Sequence, residues 1–492
     1  MRRSEINGIP LYGDDLPGRF TAHLVFGTGI VDEPFPRLGI TELAGQLALA
    51  AVADAARACD ETVFVAEDRF TRFSASGEPD RVAAFMNLLC HALAGPPVDG
   101  LAAAVRKVQA RQLREERRDR FQERELGYRY GLRGPGKVAW AAPAVAHIGA
   151  ADVRAWADAR FTRDGAVLAV SGRPPEALDP RLPAPSHGPR AGRPAVDPLP
   201  EVTGCWIEGA EGYGEQVTLS FEGPATPAGH LAADIARVRA LRDERVAVDL
   251  TGSLEIASSY VGGGRMLFWL VADTDELGVQ AVADGLDAVL RELAEHGPAE
   301  DEVRRAERAW SERLDGDDER HGQLVIAALD HLAGLEVFDV DGVRARLASL
   351  GPADVRAALA AYPSTAVLTL PEHCAPGPDS PFAPSPDRSG GGFHEAYEYR
   401  PKLFGPAGRA ERMYLSDEGL AHWTTYCHHA VRWHQVAGLG VFPEARRVLY
   451  GEHGTVIDIQ ADWYKSGGDL IAAVDARVPA SLCFPMGEAG PI

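Results

Sequence analysis

Residues 39–49 read GITELAGQLAL. From Ile40 onward the apolar residues Ile40, Leu43, Ala44, Leu47 and Ala51 recur at the three- and four-residue spacing of a buried helix face. Thr41 is a candidate cap. Glu42, Gly45 and Gln46 share a second face, because residues three and four apart on a helix are neighbours. A helix that gathers an acid, a glycine and an amide on one face is either plain structure or the remnant of chemistry, and its surroundings decide between the two.

The same spacing places both histidines and the acid of H-x-x-E-H on one face in the inverted zinc-peptidase motif. Here those five positions read Glu42-Leu43-Ala44-Gly45-Gln46. The preceding stretch, FGTGIVDEPFPRLGITEL at 26–43, resembles the approach to H-x-x-E-H in the insulinase/pitrilysin-like metallopeptidases, where a strand, a G-x-x-D-E-P-like turn and a Gly-Ile/Leu pair come before the first histidine. A second stretch, LRDERVAVDL at 241–250, resembles that family's L-R-E-E-R-G-L-A-Y-S, whose Arg and Tyr bind substrate backbone. Arg242 stands at the Arg position and Asp249 at the Tyr position. The resemblance extends over roughly residues 5–370 and implies two related αβ lobes of about 200 residues each, a pattern of internal duplication.

Duplication is also visible directly. HIGAADVRAWADARF, from His147, precedes the strand-like AVLAVSG; SLGPADVRAALAAYP, from Ser349, precedes AVLTLPE, an offset of about 200 residues. RFTAHLVFG and EQVTLSFEG each precede a helix, and FVAEDRFTRFSASG and GRMLFWLVAD each precede a long amphipathic helix. Pro/Gly-rich stretches mark linkers at 181–199 and 371–394. The expected organisation is α+β: lobe one over 1–180, lobe two over 200–370, and a small mostly-β unit over 395–492. That last unit resembles a pleckstrin-homology-like domain, with GGDLIAAVDARV as its closing helix.

Composition narrows the function. A net charge of -21 disfavours nucleic acid and anionic membrane as partners, since both reward clustered Lys and Arg. Six cysteines without a C-x-x-C pair argue for free thiols. The start, MRRSEINGIPLYGDD, carries no apolar stretch of a secretory signal, so a cytoplasmic location is expected. Four lysines among 50 basic residues suggest GC-rich bacterial codon usage.

Other tempting motifs carry less. GLRGPGKV at 131–138 meets G-x-x-x-x-G-K but has Val138 where a P-loop needs Ser or Thr, so it reads as a surface loop. His422, Cys427, His428, His429 and His434 match no zinc spacing, and on a strand His428 and His429 point to opposite faces. Residues 262–264, GGG, read as a hairpin turn. No G-x-S-x-G occurs.

The resemblance implies a third zinc ligand, a Glu, some 70–80 residues after the motif, where Glu115 and Glu116 fall. Without histidines upstream they read as solvated charges, and Glu42, Gly45 and Gln46 do not make a zinc site. The chain is expected to be a non-catalytic subunit of a heteromeric zinc metallopeptidase. A related partner bearing H-x-x-E-H would supply the zinc, this chain holding none. Peptide or unfolded protein is the expected substrate, with Arg242 and Asp249 at the substrate-binding positions. The alternative is a peptide-binding or scaffold homo-oligomer; a third option, an autonomous peptidase with unusual ligands, would bind stoichiometric zinc.

Overall fold

The structure is a computed structural model that describes residues 1–115, 121–185, 195–200, 202–209, 216–385, 393–403, 410–425 and 428–487. Lobe one is a six-stranded sheet of β1 (Arg2–Ile6), β2 (Ile9–Gly13), β3 (Phe20–Phe26), β4 (Glu61–Ala66), β5 (Thr71–Gly77) and β6 (Ala166–Val170), in the order β1-β2-β6-β3-β5-β4. Lobe two holds β7 (Cys205–Glu208), β8 (Gln216–Pro224), β9 (Leu250–Gly262), β10 (Arg265–Thr274), β11 (Val367–Leu370) and β12 (Ala383–Pro384), in the order β12-β7-β11-β8-β10-β9.

The two sheets repeat one wiring. β2 runs parallel to β6 as β7 does to β11. β3 lies antiparallel between β6 and β5, as β8 does between β11 and β10. The hairpin strands β4 and β9 end the two sheets. The β9–β10 hairpin turns through residues 262–264, all at positive φ, where glycine alone carries no Cβ penalty. β12 breaks the symmetry: it adds to β7 in parallel, whereas β1 pairs with β2 antiparallel.

Central strands are apolar on both faces, and each face has its own cover. On β6, Ala166, Leu168 and Val170 enter lobe one's main core, which the helices Ile40–Ala51, Pro79–Ala94 and Ala150–Arg160 complete. The alternate residues Val167 and Ala169, with Tyr12 and Val25, meet Leu324 and Ala328 of the helix Asp317–Ala333, which belongs to lobe two. Lobe two mirrors this. Phe268, Leu270 and Ala272 of β10 face its own helices, while Leu267, Trp269 and Val271 meet Leu126 and Tyr130 of the helix Phe121–Tyr130 from lobe one. Period-two alternation thus gives each sheet a second apolar face, and the lobes exchange helices to cover it.

The helix from lobe one also carries a buried ion pair into lobe two. Arg129 Nε donates to Glu125 Oε1 at 2.7 Å, Arg129 Nη1 to the Thr365 carbonyl at 2.8 Å and Arg129 Nη2 to Ser220 Oγ at 2.6 Å. Trp269 Nε1 donates to Glu125 Oε2 at 2.8 Å, and Ser220 Oγ donates to Glu125 Oε1. Beside them Tyr130 donates to Glu222 at 3.0 Å, and Arg265 closes on the same carboxylate at 3.1 Å. Every polar end in this dry site therefore has a partner, the condition for such a network to be tolerated.

The third unit has two four-stranded sheets. One contains β13 (Tyr397–Tyr399), β14 (Arg412–Leu415), β15 (Gly419–Trp423) and β16 (His428–Arg432). The other contains β17 (Val436–Val441), β18 (Arg446–Gly451), β19 (Val456–Gln460) and β20 (Cys483–Pro485). Both enclose one core with the helix Gly467–Arg477. The chain does not close on that helix: β20 follows it and pairs parallel with β17. This unit docks on lobe one where Phe35 meets Tyr450 at 4.9 Å, Phe484 at 6.0 Å and Trp140 at 6.1 Å between ring centres. No helix among the described residues is long and apolar enough to cross a membrane.

Glu125→Ala leaves Arg129 buried without its counter-ion and should cost about 3–5 kcal/mol in urea unfolding, whereas Glu125→Leu with Arg129→Met should recover most of that loss.

Candidate functional site

The motif helix Ile40–Ala51 starts from Gly39, whose φ of 90° is open to glycine. Its free N-terminal amides are met by Glu33, the acid of the D-E-P turn. Glu33 Oε2 accepts from the Gly39 amide at 2.7 Å and Oε1 from the Thr41 amide at 2.8 Å. Burial pushes the Glu33 carboxyl up to about 7, against the pull of the Thr41 and Gly39 hydrogen bonds. Lys137 clamps the same turn, its Nζ donating to the carbonyls of Glu33 at 2.6 Å and Val31 at 3.1 Å. The glycine-rich stretch 131–138 is thus folded against this turn: a Cβ on Gly136 would lie 2.3 Å from the Gly131 carbonyl.

The three motif positions meet different neighbours. Glu42 is buried, and its carboxylate pairs with Arg111 of the helix Leu101–Glu115. A Cβ on Gly45 would stand 2.3 Å from the tip of the Phe64 ring, which stacks on Phe73 at 4.9 Å. Gln46 lines a cavity between the lobes. Glu115 ends its helix, and Glu116 lies outside the described residues.

A zinc ion would need three donors converging with an open fourth position. Glu42 is neutralised by a guanidinium, position 45 offers no donor, and an aromatic ring fills the space where a side chain from it would point. These residues do not fit the metal. No group of three His, Cys, Asp or Glu able to hold a metal occurs among the described residues. In the third unit, His422 and His429 sit opposite each other on β15 and β16 while His428 stacks on Trp423; Cys427 lies outside the described residues.

The cavity encloses about 1520 Å³. Glu42, Gln46 and Arg111 form part of its wall, together with Phe64, Val65 and Ala66 of β4, the terminal strand of its sheet. Across it lie His230, Tyr260 and Trp310 of lobe two. Burial lowers the His230 pKa and so favours the neutral ring. The lobes meet beside the cavity at the β4–β5 turn, where Arg69 Nη2 donates to the Val261 carbonyl at 2.6 Å and Ser259 donates to Asp68 at 3.2 Å. Arg242 and Asp249 are not in this wall. Arg242 is exposed after the helix Pro227–Ala240, and the Asp249 carbonyl accepts from Thr274 Oγ1 at 2.8 Å.

No protein-family model matches the sequence, and no curated protein does. Solved structures do match in shape. The first half of the periplasmic protease PqqL from Escherichia coli superposes with a TM-score of 0.61 at 13% identity, over 77% of this chain and 94% of that one. The fold is insulinase-like. Pitrilysin matches with a TM-score of 0.57 at 15% identity, over 74% of this chain and 44% of its own length, so this chain spans less than half of that peptidase. A peptidase M16 inactive domain from Pseudomonas fluorescens matches with a TM-score of 0.55 at 15% identity, over 78% of this chain and 99% of that domain.

Two outcomes follow. The combined changes Glu42→His, Gly45→Glu and Gln46→His should yield no stoichiometric zinc by elemental analysis, and crowding against Phe64 should cost about 1–3 kcal/mol in thermal unfolding. Glu33 has a folded-state pKa raised above its unfolded value, so its stabilising contribution is complete below pH 4.5 and lost as pH rises through about 7. Glu33→Gln should flatten that part of the stability–pH curve.

Proposed function

We propose that this chain is a non-catalytic insulinase-like subunit that holds extended peptide in its interlobe chamber and works beside a related zinc-bearing chain. The observation that carries this reading is the contrast between the motif helix and the cavity next to it. Phe64 and Arg111 take up the positions around Gly45 and Glu42, while a chamber of about 1520 Å³ stays open beside them. A chain with no use for substrate gains nothing from so large a space between its lobes.

The chamber suits a peptide in one particular way. β4 ends its sheet and contributes to the wall, so its outer edge offers backbone N–H and C=O groups to an added strand. Main-chain pairing of this kind grips peptide without reading every side chain. It fixes direction and register, and so lowers the entropic cost of bringing an amide to a catalytic centre elsewhere in the assembly. Metal chemistry belongs to the partner in this scheme. In this reading Arg242, exposed on lobe two and not in the wall of this chain's own chamber, contacts such a partner or its substrate, with Asp249 further along the same segment.

Affinity purification of the chain from its native cell, with mass spectrometry of what accompanies it, tests the proposal. A co-purifying chain of similar size with H-x-x-E-H near its N-terminus, in a complex that contains zinc, is the expected result. Recovery of this chain alone at native expression and low salt would replace the two-chain peptidase with a peptide-binding homo-oligomer.

A further inference from the structure

The helix Asp317–Ala333 has two jobs. Leu324 and Ala328 cover the second face of lobe one's sheet. Ile326 and Asp330, one turn apart on another face, line the chamber. Ile326 leaves 44% of its surface exposed there, although it is a large apolar side chain.

Asp330 is the anomaly. It is partly buried, and its carboxylate makes no hydrogen bond or ion pair among the described residues. It lies in the last turn of its helix, where the negative end of the helix dipole disfavours an anion. Burial alone pushes its carboxyl up to about 6. The next residue offers no relief, because His331 Nδ1 lies 2.9 Å from the Tyr12 hydroxyl and its ring packs edge-on to Tyr12. Among the described residues no side chain compensates this carboxylate, and it faces the chamber, where a bound cation can. A metal ion would need further donors close by, and no such group exists among the described residues. An organic cation needs only the one carboxylate and an apolar surface for its stem.

We infer that Asp330 reads charge in the chamber, its carboxylate taking the cationic head of a lysine or arginine side chain on the bound peptide while Ile326 covers the aliphatic stem. This rests on the peptide-chamber reading above and adds a substrate class to it, extended peptides with a basic residue. Asp330 is a specificity residue and takes no part in bond cleavage.

The test is a fluorescence-anisotropy titration of the full chain with a fluorescein-labelled, unstructured ten-residue peptide bearing a single lysine, set against the same peptide with glutamine or glutamate at that position. The lysine peptide should bind about tenfold more tightly than the glutamine peptide, as one partly desolvated charge-assisted contact provides. Asp330→Asn should erase the preference, and Asp330→Lys should turn it toward glutamate. Without ligand, Asp330→Asn should melt higher than the parent chain, since it removes an uncompensated anion. Equal binding of the lysine and glutamine peptides by the parent chain would overturn the assignment. So would a preference that survives Asp330→Asn, or a lower melting temperature for that variant, which would mark a structural residue. Failure of all three peptides to bind would instead remove the peptide chamber, and the role of Asp330 with it.

Discussion

The Glu125–Arg129 pair, buried between the lobes with Ser220, Trp269 and the Thr365 carbonyl around it, is the constraint on which the arrangement depends. Two charges withdrawn from water are tolerable only when every donor and acceptor is met, and here the partners come from both lobes. The helix Phe121–Tyr130 can therefore sit in only one register on β8 and β10. Apolar contact between Leu126, Tyr130 and Trp269 would hold the lobes together by itself, but it would allow sliding. The ion pair adds directional hydrogen bonds from one lobe to the other that apolar contact lacks.

Around that helix, the departure from a zinc site goes beyond exchanged ligands. Arg111 neutralises Glu42, and Phe64 reaches over Gly45 from β4. Helix, strand and the following helix have settled into a packed arrangement that a metal would have to dismantle. Other contacts hold the helix and its surroundings: Glu33 caps the helix, Lys137 ties down the turn, and Phe35 receives the third unit. These contacts hold the helix in place irrespective of what it carries.

Local pattern showed much of this in advance. The apolar spacing of residues 40–51 gives the motif helix, and period-two strands followed by matching helices give the duplication, which the paired sheets repeat in all but their outermost strands β1 and β12. What local pattern concealed has a common physical cause, partners distant in sequence. QERELGYRY is polar and charged, yet Glu125 and Arg129 are buried, met by Ser220 from 91 or more residues away. Asp330 likewise looks like any polar position on a helix until lobe one's sheet fixes which face turns inward. Gly45 carries a local signal of its close neighbour Phe64, since a glycine inside a helix costs about 1 kcal/mol relative to alanine. β20 has no legible signal in the sequence, because three residues that pair with a strand over 40 positions earlier carry too little pattern of their own.

The exchange of helices also sets an order of events during synthesis. Lobe one's sheet is complete in sequence at Val170, but the helix that covers its second face is Asp317–Ala333. At about 5–20 residues per second, a ribosome takes on the order of 10–30 s to supply that helix, and for this interval Tyr12, Val25, Val167 and Ala169 lack the cover of Leu324 and Ala328. The nascent lobe is therefore an attractive target for chaperones, and for neighbouring copies on the same polysome, until its own distant helix arrives.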